Sequence, residues 1–116
     1  MSIESSPLTK EIWLVTASGR LDQSQTGQLE ESLQQLLTEG HNRLIVDMAK
    51  VEYINSGGLR CLVTAWRMAR QQRGDVYLCA LIPRVQNVFT MIGFDKVFQI
   101  FPTREEASQA WQPSAK

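Results

Sequence analysis

The chain has 116 residues, the common size of one domain, and such a domain buries about two-thirds of its unfolded surface. Twelve basic and twelve acidic side chains cancel, which removes the global field that draws a protein to nucleic acid or an anionic membrane. No apolar run approaches the ~20 residues needed to cross a bilayer, and Met1–Thr9 has neither the basic region nor the apolar core of a signal peptide.

Residues 1–10 carry Pro7 and several short polar groups, the pattern of a mobile lead-in or a weak edge strand. Ile12–Ala17 is continuous and rich in β-formers, so it predicts a strand buried on both faces, with Gly19 marking a bend. Asp22 followed by Gln25 resembles a capping box for a helix whose stripe is Leu29, Leu33, Leu36 and Leu37, stopped at Gly40 in C′ fashion. Arg43–Met48 is a second strand, and Ala49–Asn55 leads from it into a turn. From Ser56 to about Arg73 the apolar positions Leu59, Leu62, Val63, Trp66 and Ala69 repeat at helical spacing. Arg60, Thr64, Arg67 and Gln71 form the opposite ridge, and Gly74 closes the helix.

Val76–Ile82 is apolar at every position, as a central parallel strand requires. Pro83 suits the first position of a helix with the stripe Val85, Val88, Phe89 and Ile92, and Gly93 lies just beyond. Val97–Phe101 predicts a last strand. Thr103 and Glu106 then form a capping box for a terminal helix anchored by Ala107, Ala110 and Trp111. Alternation of this kind, with short loops, predicts an α/β sandwich with a mixed, mostly parallel sheet of about four to five strands and about four helices. A single domain is expected over 1–116, with its core at 11–111 and mobile ends at 1–10 and 112–116. Cys61 and Cys79 both sit inside apolar patterns, which predicts buried, reduced thiols in a cytoplasmic protein.

Most catalytic devices are missing from this pattern. A phosphate-binding P-loop needs Lys and then Ser or Thr after its glycines, and Gly57-Gly58 is followed by Leu59-Arg60. His41, the single histidine, has no neighbour at metal-ligand spacing and reads as a solvated loop residue. Ser56 lacks the Gly-x-Ser-x-Gly setting of a hydrolase nucleophile, because Ile54 stands where the first glycine belongs. No cofactor, metal or catalytic residue is expected. The ridge Arg60, Arg67, Arg70 and Arg73 reads as a solvated helix face, with Arg60 set apart by lying one turn from Ser56.

That leaves the turn Asn55-Ser56-Gly57-Gly58 as the candidate site. Small side chains at a strand-to-helix junction leave the first helical N–H groups uncovered, which suits a cap, a phosphate or a docking partner. In the first case Asn55 or Ser56 supplies the capping oxygen, for ~1 kcal/mol. In the second, a phosphate on Ser56 gains about 0.3–1 kcal/mol from the helix dipole. Such a dianion inside a docked interface is costly unless cations meet it.

Three segments, in order and spacing, resemble the STAS family, the domain of bacterial anti-sigma factor antagonists. They are Gly19-Arg20-Leu21-Asp22, Ile54-Asn55-Ser56-Gly57-Gly58-Leu59, and Val85-Gln86-Asn87-Val88-Phe89 through Ile92-Gly93-Phe94. The resemblance covers the chain from about Ile12 to Trp111 and implies a partner-switching protein that is not itself an enzyme. In that family the unphosphorylated antagonist binds an anti-sigma factor of histidine-kinase-like ATPase fold. That partner is also a serine kinase, whose phosphorylation of the turn breaks the complex, and a PP2C-type phosphatase restores it. By the same resemblance Asp22, Asn55, Ser56, Gly57, Gly58, Leu59 and Arg60 fall on the partner-binding surface, and Ser56 is the candidate phosphorylation site. No nucleic-acid binding or membrane insertion is implied.

One departure stands out: the family's second turn serine, its usual phosphate acceptor, is Gly57 here, and Asn55 replaces a common Asp. A one-residue shift along a helix start rotates the hydroxyl by about 100°. Either Ser56 accepts phosphate one residue early, or the protein is a constitutive binder. The alternatives are a STAS-like scaffold or transporter-associated subunit that is not phosphorylated, and a small nucleotide-binding or hydrolytic protein.

Overall fold

A computed structural model describes residues 2–22 and 26–111. Strands β1 (Ser2–Pro7), β2 (Trp13–Leu21), β3 (Arg43–Ile54), β4 (Asp75–Cys79) and β5 (Ile100–Phe101) form one sheet in the order β1-β2-β3-β4-β5. The β1–β2 pair is antiparallel and the other three pairs are parallel. Helices α1 (Gly27–Thr38), α2 (Ser56–Gln71) and α3 (Pro83–Met91) are the crossovers between successive parallel strands, and α4 (Arg104–Trp111) follows β5. Because the strand order advances in one direction, right-handed crossovers put α1, α2 and α3 on the same face.

Period-two alternation explains how both faces are filled. Val15, Ala17, Leu44, Val46, Met48, Val76 and Leu78 point into the main core with the leucines of α1 and with Leu59, Leu62, Ala65 and Ala69 of α2. Leu14, Ile45, Tyr77 and Cys79 point the other way, onto Ala107 and Trp111 of α4. There Tyr77 and Trp111 stack with ring centroids 3.6 Å apart, and buried Asp47 meets Arg104 at 2.6 Å. The α/β sheet of the sequence reading is therefore present, with five strands and four helices among the described residues.

Several boundaries differ from the expectation. The N-terminal segment is an edge strand: Ser2–Pro7 pairs residue by residue with Ser18–Trp13, so the alternative of a mobile lead-in is set aside there. Strand β2 runs on to Leu21, with Gly19 at φ +94° beside a break in register. Strand β3 continues through Ala49–Ile54, because its partner β2 continues alongside. Helix α1, which follows β2, starts at Gly27 with Thr26 in the N-cap position, so the N-cap is not Asp22; Gln25 of the expected capping box lies outside the described residues.

At the end of α2 the residue with positive φ is Arg73 (+67°), and Gly74 has a different task. A Cβ on Gly74 would overlap the Asn42 carbonyl, where Asp75 N–H donates at 2.9 Å to start β4. Strand β4 stops at Cys79, because Ala80 turns to φ +62°. The predicted strand Val97–Phe101 is reduced to Ile100–Phe101. A 3₁₀ turn at Phe94–Lys96 precedes it, and Phe98 packs edge-on against Phe89 at 6.0 Å. Thr103 Oγ1 does accept from Glu106 N–H at 3.1 Å, whereas Ala110 is exposed and anchors nothing.

Candidate functional site

The parallel register pairs Leu21 with Ile54, so the chain leaves β2 and β3 at the same edge of the sheet. Asn55 N–H donates to the Leu21 carbonyl at 3.2 Å, which brings Asp22 and Asn55 side by side. Asp22 is tied to Arg20 at 3.5 Å, and the Arg20 guanidinium lies 4.1 Å from the centre of the Tyr53 ring. This linkage of β2 to β3 is what places Asp22 at the turn.

Asn55 is extended, at φ −129°, and its side-chain oxygen accepts from Gly57 N–H at 3.0 Å and Gly58 N–H at 3.5 Å. Of the two capping candidates, Asn55 is the cap. Ser56 is exposed, and its hydroxyl makes no hydrogen bond with the described residues. Gly58 is fixed by tertiary contact: a Cβ there would overlap the Leu21 carbonyl oxygen and lie 2.9 Å from Ile54 Cγ1. The glycine lets the helix start sit directly on the ends of β2 and β3. Leu59 turns inward and Arg60 outward.

On one side of the turn, Thr26, Glu30, Gly57, Arg60, Cys61 and Thr64 line a small cleft of 220 Å³ between α1 and α2. Burial pushes the Cys61 thiol up to about 12, helped by the negative charge of Glu30, so it is no nucleophile. On the other side, Ser56, Leu59, Arg60, Val63, Arg67, Ile92 and Phe94 border a mostly apolar groove of 510 Å³. The sequence reading placed Val63 and Ile92 on core stripes. In the fold Val63 is half-buried, and Ile92, at the C-terminal end of α3, is 48 % exposed. The available signal was Val63 set between the polar ridge positions Arg60, Thr64 and Arg67.

The structure therefore gathers Asp22, Asn55, Ser56, Gly57, Gly58, Leu59 and Arg60 at one end of the sheet. His41 lies elsewhere, against the Trp13 ring at 4.9 Å and 3.6 Å from Glu39. Among the described residues no cluster of His, Cys, Asp and Glu could hold a metal, and no helix is long and apolar enough to cross a membrane.

Comparisons with known proteins agree with the fold. BtrV of Bordetella bronchiseptica, which carries the assignment anti-sigma factor antagonist, is 33% identical over 94 residues covering 81% of each chain. A Thermotoga maritima protein assigned as an anti-sigma factor antagonist superposes with a TM-score of 0.87 at 17% identity, covering 93% of this chain and 92% of that one. SpoIIAA of Bacillus, an anti-sigma factor antagonist, superposes in its unphosphorylated form with a TM-score of 0.81 at 19% identity, over 94% and 95% of the two chains. Residues 6–107 match the model of the STAS domain, and the chain belongs to that family.

Proposed function

We propose that this protein is an anti-sigma factor antagonist that acts by partner switching. Unphosphorylated, it binds an anti-sigma factor of histidine-kinase-like ATPase fold through residues 55–60 and Asp22, and so releases a sigma factor in the cytoplasm. The same partner phosphorylates Ser56, and a PP2C-type phosphatase reverses the modification. The chain itself is a binding module with no catalytic residue of its own.

The observation that carries this reading is the division of labour at the turn. Asn55 supplies the cap, so the Ser56 hydroxyl stands exposed at the first helical position with no structural task. A phosphate there leaves the fold intact, since the dipole of α2 favours negative charge at its N-terminus. Inside a docked interface the same dianion is desolvated and repelled unless cations meet it. A penalty of ~3 kcal/mol already weakens binding more than a hundredfold. The Asn55 oxygen occupies the Gly57 and Gly58 donors, so Arg60, one turn along α2, is the cation placed to compensate on the protein's own side.

Gly57 favours a second reading, an unphosphorylated STAS scaffold or transporter-associated subunit, since glycine occupies the position where the family carries its usual acceptor. Co-purification and intact mass separate the two. The first reading expects recovery of an ATPase-fold kinase and one added phosphate in wild type but not in Ser56→Ala. Recovery of membrane-transport subunits instead, or equal mass gain in both proteins, contradicts it.

A further inference from the structure

The 510 Å³ groove runs beside α2, lined there by buried Leu59 and half-buried Val63, and opposite them by Ile92 and Phe94 from the segment after α3. Met91 beside them is 83 % exposed. Single apolar residues on a surface are ordinary, whereas apolar residues gathered along one groove with a polar rim suit an interaction site. Ser56, Arg60, Val63 and Arg67 recur every three or four residues and so form one stripe, with Leu59 beside it. At 1.5 Å per residue the stripe is about 16 Å long, roughly three helical turns.

The rim carries one sign of charge. Arg60 and Arg67 are exposed and form no ion pair with a described residue, whereas Arg20, Arg43, Arg70 and Arg104 each face a carboxylate. Seven residues separate the two arginines, about 10 Å along the helix, which is also the spacing of side chains at i and i+7 on a helix lying alongside. Glu30 shares the neighbouring cleft with Arg60, on the far side from the groove.

We infer that this groove receives an amphipathic helix of the anti-sigma partner, about three turns long, with acidic side chains seven residues apart that meet Arg60 and Arg67. Its apolar face fills the space between Leu59, Val63, Ile92 and Phe94, the helix-in-groove mode of recognition. The arginines set register and speed of association, and the apolar strip supplies the affinity. The inference rests on the reading that the chain binds an anti-sigma factor. Phosphorylation acts at the same place: Ser56 borders the groove, so a phosphate there competes for Arg60 and repels the acidic helix.

The test is calorimetric titration of the full chain with the anti-sigma ATPase encoded in the same genome. Ile92→Ser and Arg67→Glu lie away from the turn on exposed positions, and thermal melts verify that both fold. Each weakens binding at least tenfold, and changing the partner's acidic pair to lysine restores affinity for the Arg60→Glu/Arg67→Glu variant. Undiminished binding by Ile92→Ser and Arg67→Glu, with binding lost in Ser56→Glu, overturns the groove and leaves docking at the turn standing. Wild-type protein that binds no anti-sigma ATPase removes both readings. Dimerisation of wild type that Ile92→Ser abolishes, seen by sedimentation, assigns the groove to a second copy and overturns the inference.

Discussion

The side-chain oxygen of Asn55 accepts the backbone N–H of Gly57 at 3.0 Å, so the residue before the serine closes the helix and the serine does not. Asn55→Ala therefore costs ~1 kcal/mol of stability, the usual loss of a cap. Ser56→Ala changes stability by less than ~0.5 kcal/mol, as an exposed position without partners should. Urea denaturation of both variants checks this; equal costs would return the capping role to Ser56.

Gly58 is expected to tolerate no side chain. Alanine in a helix is ordinarily favoured over glycine by ~1 kcal/mol. Here the added Cβ overlaps the Leu21 carbonyl oxygen, which is backbone and cannot swing away. Overpacking of this kind costs about 1–3 kcal/mol, so the clash decides the sign. Gly58→Ala should lower the denaturation midpoint and Gly27→Ala should not, because a Cβ at Gly27 meets nothing within 4 Å.

Both thiols should be silent in the native protein. Burial pushes Cys61 and Cys79 up to about 12, with the charges of Glu30 and Asp47 adding to the shift. The folded state thus holds these protons above the pH at which the unfolded chain releases them, near 9. Stability from this source is fully present below pH 9 and falls as pH rises from 9 towards 12. A thiol reagent at pH 8 should titrate neither cysteine until denaturant is added. A Cys61→Ala/Cys79→Ala variant should show a shallower loss of stability in alkali.

Arg104 ties α4 to the sheet through Asp47, the buried carboxylate that also accepts from Ala49 N–H at 3.0 Å. Stranding a buried charge costs about 3–5 kcal/mol, but Arg104 is 40% exposed, so about 1–3 kcal/mol is expected for Arg104→Ala. Losing the tie should also loosen the Tyr77–Trp111 stack and speed modification of Cys79 on that face, leaving Cys61 on the other face unchanged. Mass-resolved labelling of the two cysteines measures it.

Much of this was legible wherever one periodicity ran unbroken. The leucines of α1, the apolar centres of β2 to β4, Pro83 at the start of α3 and Gly40 at φ +93° stand where local pattern put them, although the ends of β2 and β4 do not. The second half of β3 was not legible, because Ala49, Lys50 and Glu52 are exposed and interrupt the alternation. Pairing with β2 holds that segment extended, and pairing is tertiary. The same holds for Gly58, whose requirement comes from Leu21, distant in the chain. Ile92 has the spacing of a core residue, yet α3 ends under it and leaves it at the groove. The turn stood out as a candidate from its composition; which residue caps it and what lies beside it required the fold.

The most direct measurement is the affinity of the cognate anti-sigma ATPase for wild type, Ser56→Ala and Ser56→Glu. Docking through an unmodified Ser56 turn, switched off by negative charge, predicts equal binding by wild type and Ser56→Ala. It predicts at least hundredfold weaker binding by Ser56→Glu, a penalty of about 3 kcal/mol. Equal affinity for all three proteins would contradict it.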